Sequence, residues 1–175
     1  MYQDEVRALI DVFEQHKIFF GTRIPHLYEQ LGVLVYRCRR LQRNGKRQQA
    51  RQLLDGELCK IFGIAAACCD DRPLALLAGV MRHVLISGMR LQLPMANITR
   101  GNDAVNADVR KTLLALDTQL TLLSRSRPEL VSLLEMRYFA RLGIRDIACE
   151  RSVVVDVIKD ELRFARACML HATGF

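Results

Sequence analysis

Residues 134–167 read LEMRYFARLGIRDIACERSVVVDVIKDELRFARA and carry the densest pattern in the chain. Gly143 breaks the backbone after Phe139-Ala140-Arg141-Leu142. Ile144, Ile147 and Ala148 then fit one face of a two-turn helix, and Arg151-Ser152 makes a short turn. Val154, Val157, Ile158, Leu162, Ala165 and Met169 mark one face of a long final helix. A short helix, a tight turn and a longer helix is the helix-turn-helix plan, whose second helix enters the DNA major groove. Ala148 stands where the two helices approach most closely, a place that suits a small side chain. Pairs of this kind also occur in ordinary helical bundles, so the pattern by itself leaves both readings open.

Upstream, helical spacing continues almost throughout. Val6, Leu9, Ile10 and Phe13 keep it, as do Leu27, Leu31, Leu34 and Val35. Asn44-Gly45 reads as a turn, and Leu53, Leu54, Leu58, Ile61 and Phe62 begin another helix. Arg72-Pro73 opens a further one, since proline suits a first helical turn, and it is expected to end near Met89–Gln92. From Pro94 to Val109 the composition shifts to Pro, Gly, Asn and Asp, the mark of a linker. Leu113, Leu114, Leu116, Leu120 and Leu123 resume a helix, and Pro128 sits in the first turn of the next.

The chain has 175 residues, half of them hydrophobic, with a net charge of +7. That balance belongs to a globular protein and excludes long-range disorder. No apolar run approaches the roughly 18 residues that span a bilayer, and the N-terminus lacks a signal-peptide pattern, so a cytoplasmic location is expected. The positive excess concentrates in Arg37, Arg39, Arg40, Arg43, Lys46, Arg47 and Arg51, with no acid from Gln30 to Leu54. Such a block favours a polyanion; the plainer alternative is a solvated helix face. Cys38, Cys59, Cys68, Cys69, Cys149 and Cys168 form no C-x-x-C pair and stand at no zinc-finger spacing from the histidines. Most are expected to be small buried side chains, with redox sensing or metal binding the lesser alternative, and no cofactor is expected. The chain has no glycine-rich phosphate loop, no G-x-S-x-G and no H-E-x-x-H, so neither an enzyme nor a small-molecule substrate is expected.

Leu134-Glu135-Met136-Arg137-Tyr138-Phe139, then Leu142-Gly143-Ile144, Ile147-Ala148 and Val157-Ile158-Lys159, followed by Arg163-Phe164-Ala165-Arg166-Ala167, resemble the C-terminal domain of bacterial extracytoplasmic-function (ECF) sigma factors. Met81-Arg82-His83-Val84-Leu85-Ile86 with Arg90 resembles the family's helix facing the minus-ten promoter element. Pro25 to Leu31 resembles its first conserved helix, and Leu53 to Ile61 falls where its polymerase-clamp helix lies. The resemblance implies an all-α protein of two small domains, 1–93 and 113–175, joined by a linker over 94–112, the second domain a helix-turn-helix. It implies a transcription initiation factor that binds core RNA polymerase and promoter DNA, with an anti-sigma factor as a further class of partner and no membrane association. Carried over by position, Val154, Val155, Lys159, Arg163 and Arg166, together with Arg82, His83 and Arg90, would meet DNA. Leu54, Asp55, Glu57 and Leu58 would meet polymerase. Tyr138 and Phe139 are expected in the core.

The contact positions depart from the family pattern. Val153 to Val157 replace small polar residues, and valine can touch a thymine methyl but cannot donate a hydrogen bond to a base. Asp156, Asp160 and Glu161 present the wrong sign to phosphate. Ser152 replaces a turn glycine, which is tolerable where φ need not be positive. Arg151 replaces a buried apolar residue and is expected to reach solvent or to pair with Glu150 or Asp146. An alternative reading is therefore a sigma scaffold that regulates through protein contacts with little direct DNA reading.

Overall fold

The computed structural model describes residues 2–15, 23–63, 72–91 and 103–173. Among these there are eight α-helices, one π-helical turn and no strand, the all-α class expected. We number the helices α1 (Tyr2–Gln15), α2 (Ile24–Arg43), α3 (Arg47–Phe62), α4 (Pro73–Arg90), α5 (Asp103–Ser126), α6 (Pro128–Leu134), α7 (Ile144–Arg151) and α8 (Val155–Thr173); the π turn spans Glu135–Phe139.

Helix α4 is the hub. From Pro73 to Met81 and from Val84 to Met89 every residue is buried, and Arg82 and His83 between them keep only a minor part of their surface exposed. A helix apolar on nearly all sides must be covered on nearly all sides. Accordingly α1, α2, α3, α5, α6, α7 and the π turn all pack on it. Pro73 fits the first turn, where its missing N–H leaves no bond unmade. On α2, Leu27, Leu31, Leu34, Val35 and Cys38 supply the facing stripe. The α2–α3 turn is set by Gly45 at φ +71°, and α3 ends on Gly63 at φ +70°, left-handed positions that favour glycine.

Two boundaries differ from expectation. Helix α3 begins at Arg47 rather than at Leu53, because Arg47-Gln48-Gln49-Ala50 are good helix formers whose apolar content is only Ala50. Helix α5 begins at Asp103, so 103–112, expected as linker, are its opening turns. Asp and Asn suit helix starts as well as turns, and composition does not separate the two uses. Pro94 to Asn102 lie outside the described residues, as do Cys68, Cys69, Asp70 and Asp71.

One apolar core runs from Leu9 to Ala165, with α4 bridging the earlier and later helices. Leu133, Leu142, Ile147, Ile158 and Ala165 are sealed within it. Helix α8 lies on the rim: Ile158, Leu162 and Ala165 face inward, while Asp156, Val157, Lys159, Asp160, Arg163, Phe164 and Arg166 face out.

Candidate nucleic-acid interface

Helix α7 starts at Gly143, whose extended backbone (φ −69°, ψ 156°) lets its N–H donate to Asp146 Oδ2 at 3.2 Å. A Cβ at position 143 would stand 3.1 Å from that oxygen, so glycine leaves room for the cap. Asp146 also accepts two bonds from Arg43, from Nε at 2.6 Å and from Nη2 at 2.9 Å. The carboxylate holds the Arg43 guanidinium in its protonated form more firmly than usual, through that hydrogen bond first and its charge second.

The turn after α7 passes through Ser152 at φ +55°. The positive φ that a glycine would hold freely is therefore required, and serine occupies it at a cost of about 1 kcal/mol or more. Arg151 neither reaches solvent nor pairs with Glu150 or Asp146. It bonds Glu161 on α8 and lies 3.7 Å from Glu129 on α6. Glu150 instead points inward and accepts from Gln42 Nε2 (2.6 Å), the Leu74 N–H (2.7 Å) and the Ala75 N–H (3.1 Å). It caps α4, whose first turn contains no acid of its own. Burial pushes its carboxyl above the ordinary glutamate range, offset by the bonds from Gln42, Ala75 and Leu74 and by the charge of Arg47.

The outer face of α8 gathers the expected DNA contacts of the C-terminal part. Val154 is 68% exposed, Val155 is half-buried, and Lys159, Arg163 and Arg166 form one exposed stripe at helical spacing. Each cation is engaged. Lys159 bonds Asp156 at 2.8 Å, which holds that carboxyl below its ordinary value. Arg163 bonds Asp160 at 2.6 Å, and Arg166 Nε donates to the Tyr138 hydroxyl at 2.9 Å. Tyr138 is 49% exposed and is thus not the core aromatic expected, whereas Phe139 is. Val153 and Val157 complete an exposed apolar patch at the head of the helix.

Arg82, His83 and Arg90 are not brought to this face. Arg82 donates to Asp117 (2.9 Å), Glu135 (3.0 Å) and Thr121 (2.9 Å), with only 11% of its side chain exposed. Arg90 bonds Asp117 at 3.1 Å, and His83 bonds Glu14 at 2.7 Å. In this packing Arg82 is an internal tie between α4 and the later helices rather than a groove-lining residue, because two carboxylates meet it where solvent is nearly excluded.

The expected polymerase contacts divide. Leu54 and Leu58 are fully buried, 0% exposed, and serve the core, because α3 turns its apolar stripe toward α2 and α4. Asp55 is half-buried, and Glu57 bonds Lys60 at 3.0 Å on the outer side. The cysteines also divide: Cys38 is buried, its Sγ donating to the Ala50 carbonyl at 3.6 Å, and burial raises its thiol to about 12. Cys59 and Cys149 are exposed, against expectation. Among the described residues no cluster of His, Cys, Asp and Glu could hold a metal ion, and no helix is long and apolar enough to cross a membrane.

Sequence reasoning placed Arg43 and Arg47 in a basic block and Asp146 and Glu150 beside Arg151, but passed over Gln42 and the part these five residues play in joining α7 to α2–α4. One signal was present, since α4 opens on proline and runs to Arg90 without a single carboxylate, leaving its N-terminal N–H groups in need of one from elsewhere.

A family model described as ECF sigma factor matches residues 71–173. This is more than half of the chain and includes α4 and all the helices that follow it. The chain belongs to the ECF sigma factor family and is a sigma-like transcription initiation factor. No curated protein and no solved structure matches it.

Proposed function

We propose that this chain binds core RNA polymerase and directs it to promoter DNA, with residues 1–93 and 113–175 acting as the polymerase-proximal and the helix-turn-helix domains on either side of 94–112. The observation that carries the reading is α8. Its inner face is sealed by Ile158, Leu162 and Ala165 while its outer face, with Lys159 and Arg163, stands open beside the tight turn that carries Val154. That is the presentation major-groove entry needs. On α3, Glu57 and the exposed positions around it are the surface left for polymerase, since Leu54 and Leu58 are inside. Arg82 and Arg90 meet the minus-ten element only after α5 and the π turn withdraw, because Asp117 and Glu135 hold them now, and His83 only once it leaves Glu14 on α1.

The test is run-off transcription from pooled genomic fragments with purified core polymerase, with and without the chain. Promoter-selective transcripts that depend on the chain support the reading. Copurification with another protein, no polymerase association and no transcript would establish instead the regulator that works through protein contacts, for which the exposed Val153, Val154 and Val157 are the available patch.

A further inference from the structure

Helix α8 is poorly equipped to hold DNA alone. Its leading turns set Asp156, Asp160 and Glu161 against Lys159 and Arg163, and both cations are already paired along the helix. Duplex affinity comes chiefly from cations that displace counterions from phosphates. The chain's densest supply of cations is Arg37 to Arg51, with no acid between Gln30 and Leu54.

The fold places that supply against the helix-turn-helix. Arg47 Nη2 donates to the carbonyl of Glu150 at 2.5 Å and to that of Cys149 at 3.4 Å, and its Nη1 lies 3.3 Å from Ser152 Oγ. The start of α3 therefore touches the turn that aims α8. One turn back, Arg43 is moored to Asp146 with 61% of its side chain still exposed. Arg37, Arg40, Lys46 and Gln48 are exposed around it. A cleft of about 340 Å³ opens here, lined by Arg47, Gln48, Arg51 and Pro73. Within it Arg47 Nε is buried without a hydrogen-bond partner.

We infer that the α2–α3 corner, Arg40 to Arg47, is a second phosphate-gripping surface, which the compact fold sets beside the leading end of α8 so that one duplex is held by both. The inference rests on the reading of α7–α8 as the DNA-binding unit. Contiguity with that turn favours a nucleic-acid backbone over an acidic protein as the occupant, because the corner and α8 border each other across Ser152.

The full-length chain is titrated by fluorescence anisotropy against a labelled mixed-sequence duplex over a salt series. The R40Q/K46Q double variant changes two exposed side chains and is compared with K159Q, each checked for an unchanged thermal melt. The expected result is that the slope of log K against log salt falls by about two units in the double variant and by about one in K159Q. A slope lowered only by K159Q overturns the corner and leaves the α8 reading standing. A slope lowered only by the double variant overturns the α8 reading and the shared surface with it. No duplex affinity, with salt-dependent binding of a polyglutamate peptide that the double variant loses, overturns the inference in favour of an acidic protein partner.

Discussion

Glu150 shows how one carboxylate can join distant parts of a chain. It is separated by more than 70 residues from the α4 N–H groups it caps and by 108 from Gln42. Because burial raises its pKa, the folded state binds a proton more readily than the unfolded chain does. The associated stability is complete below the ordinary glutamate range and is lost as the pH rises through the raised value. In E150Q, urea midpoints taken across a pH series should lose this dependence, and the difference between variant and parent should move in the variant's favour as pH rises. Ser152 offers a second residue-scale test. At φ +55° it occupies a conformation glycine reaches freely, so S152G should raise the unfolding free energy by about 0.5–1 kcal/mol, read as a higher urea midpoint at unchanged slope. The sequence showed that Ser152 stood where a glycine was usual but not the sign of its φ, because that depends on where α8 must go next.

The helices were legible where their stripes were long. The start of α4 at Arg72-Pro73, its end near Arg90 and the turn at Asn44-Gly45 stand as the spacing implied, whereas of the face expected for the last helix Ile158, Leu162 and Ala165 are buried but Val154 and Val157 are exposed. What periodicity could not say was which apolar residues a helix would keep for itself. Leu54 and Leu58 look alike as core or as contact, and only the approach of α2 and α4 decides it. Leu58→Ala should therefore cost about 2–5 kcal/mol of stability, seen in chemical denaturation, rather than a selective loss of polymerase binding. Glu57→Lys should leave the melt within about 0.5 kcal/mol of the parent and weaken core polymerase capture if α3 is the docking helix, since Glu57 is engaged on the outer side by the exposed Lys60. The same ambiguity hid the opening turns of α5, whose Asp and Asn residues serve helix starts and turns alike.

At the scale of the whole molecule, the early and late helices are tied by ion pairs as well as by the core. Arg43 meets Asp146, Arg72 meets Glu129, and Arg82 with Arg90 converges on Asp117. None of these was legible in the sequence, because each joins residues far apart along the chain and many other pairings would satisfy the same charges. Asp117 is the sharpest point of attack, since it binds two guanidinium groups with 12% of its side chain exposed. Asp117→Asn should weaken the closed arrangement by about 1–3 kcal/mol. Hydrogen exchange would report this as faster exchange of α5 amides, with the α2–α3 amides unaffected. If α5 protection is unchanged, the Arg82–Asp117 pairing does not hold the halves together.

The cap that Glu150 places on α4 has a consequence for anyone who would exchange promoter-reading parts between relatives. Splicing a foreign tail onto the first hundred residues removes the acceptor for the Leu74 and Ala75 amides, and with it the moorings of Gln42, Arg43 and Arg47. A transplant that supplies carboxylates at the positions of Asp146 and Glu150 keeps the graft seated; one chosen for its recognition residues alone leaves the host's central helix without its stopper.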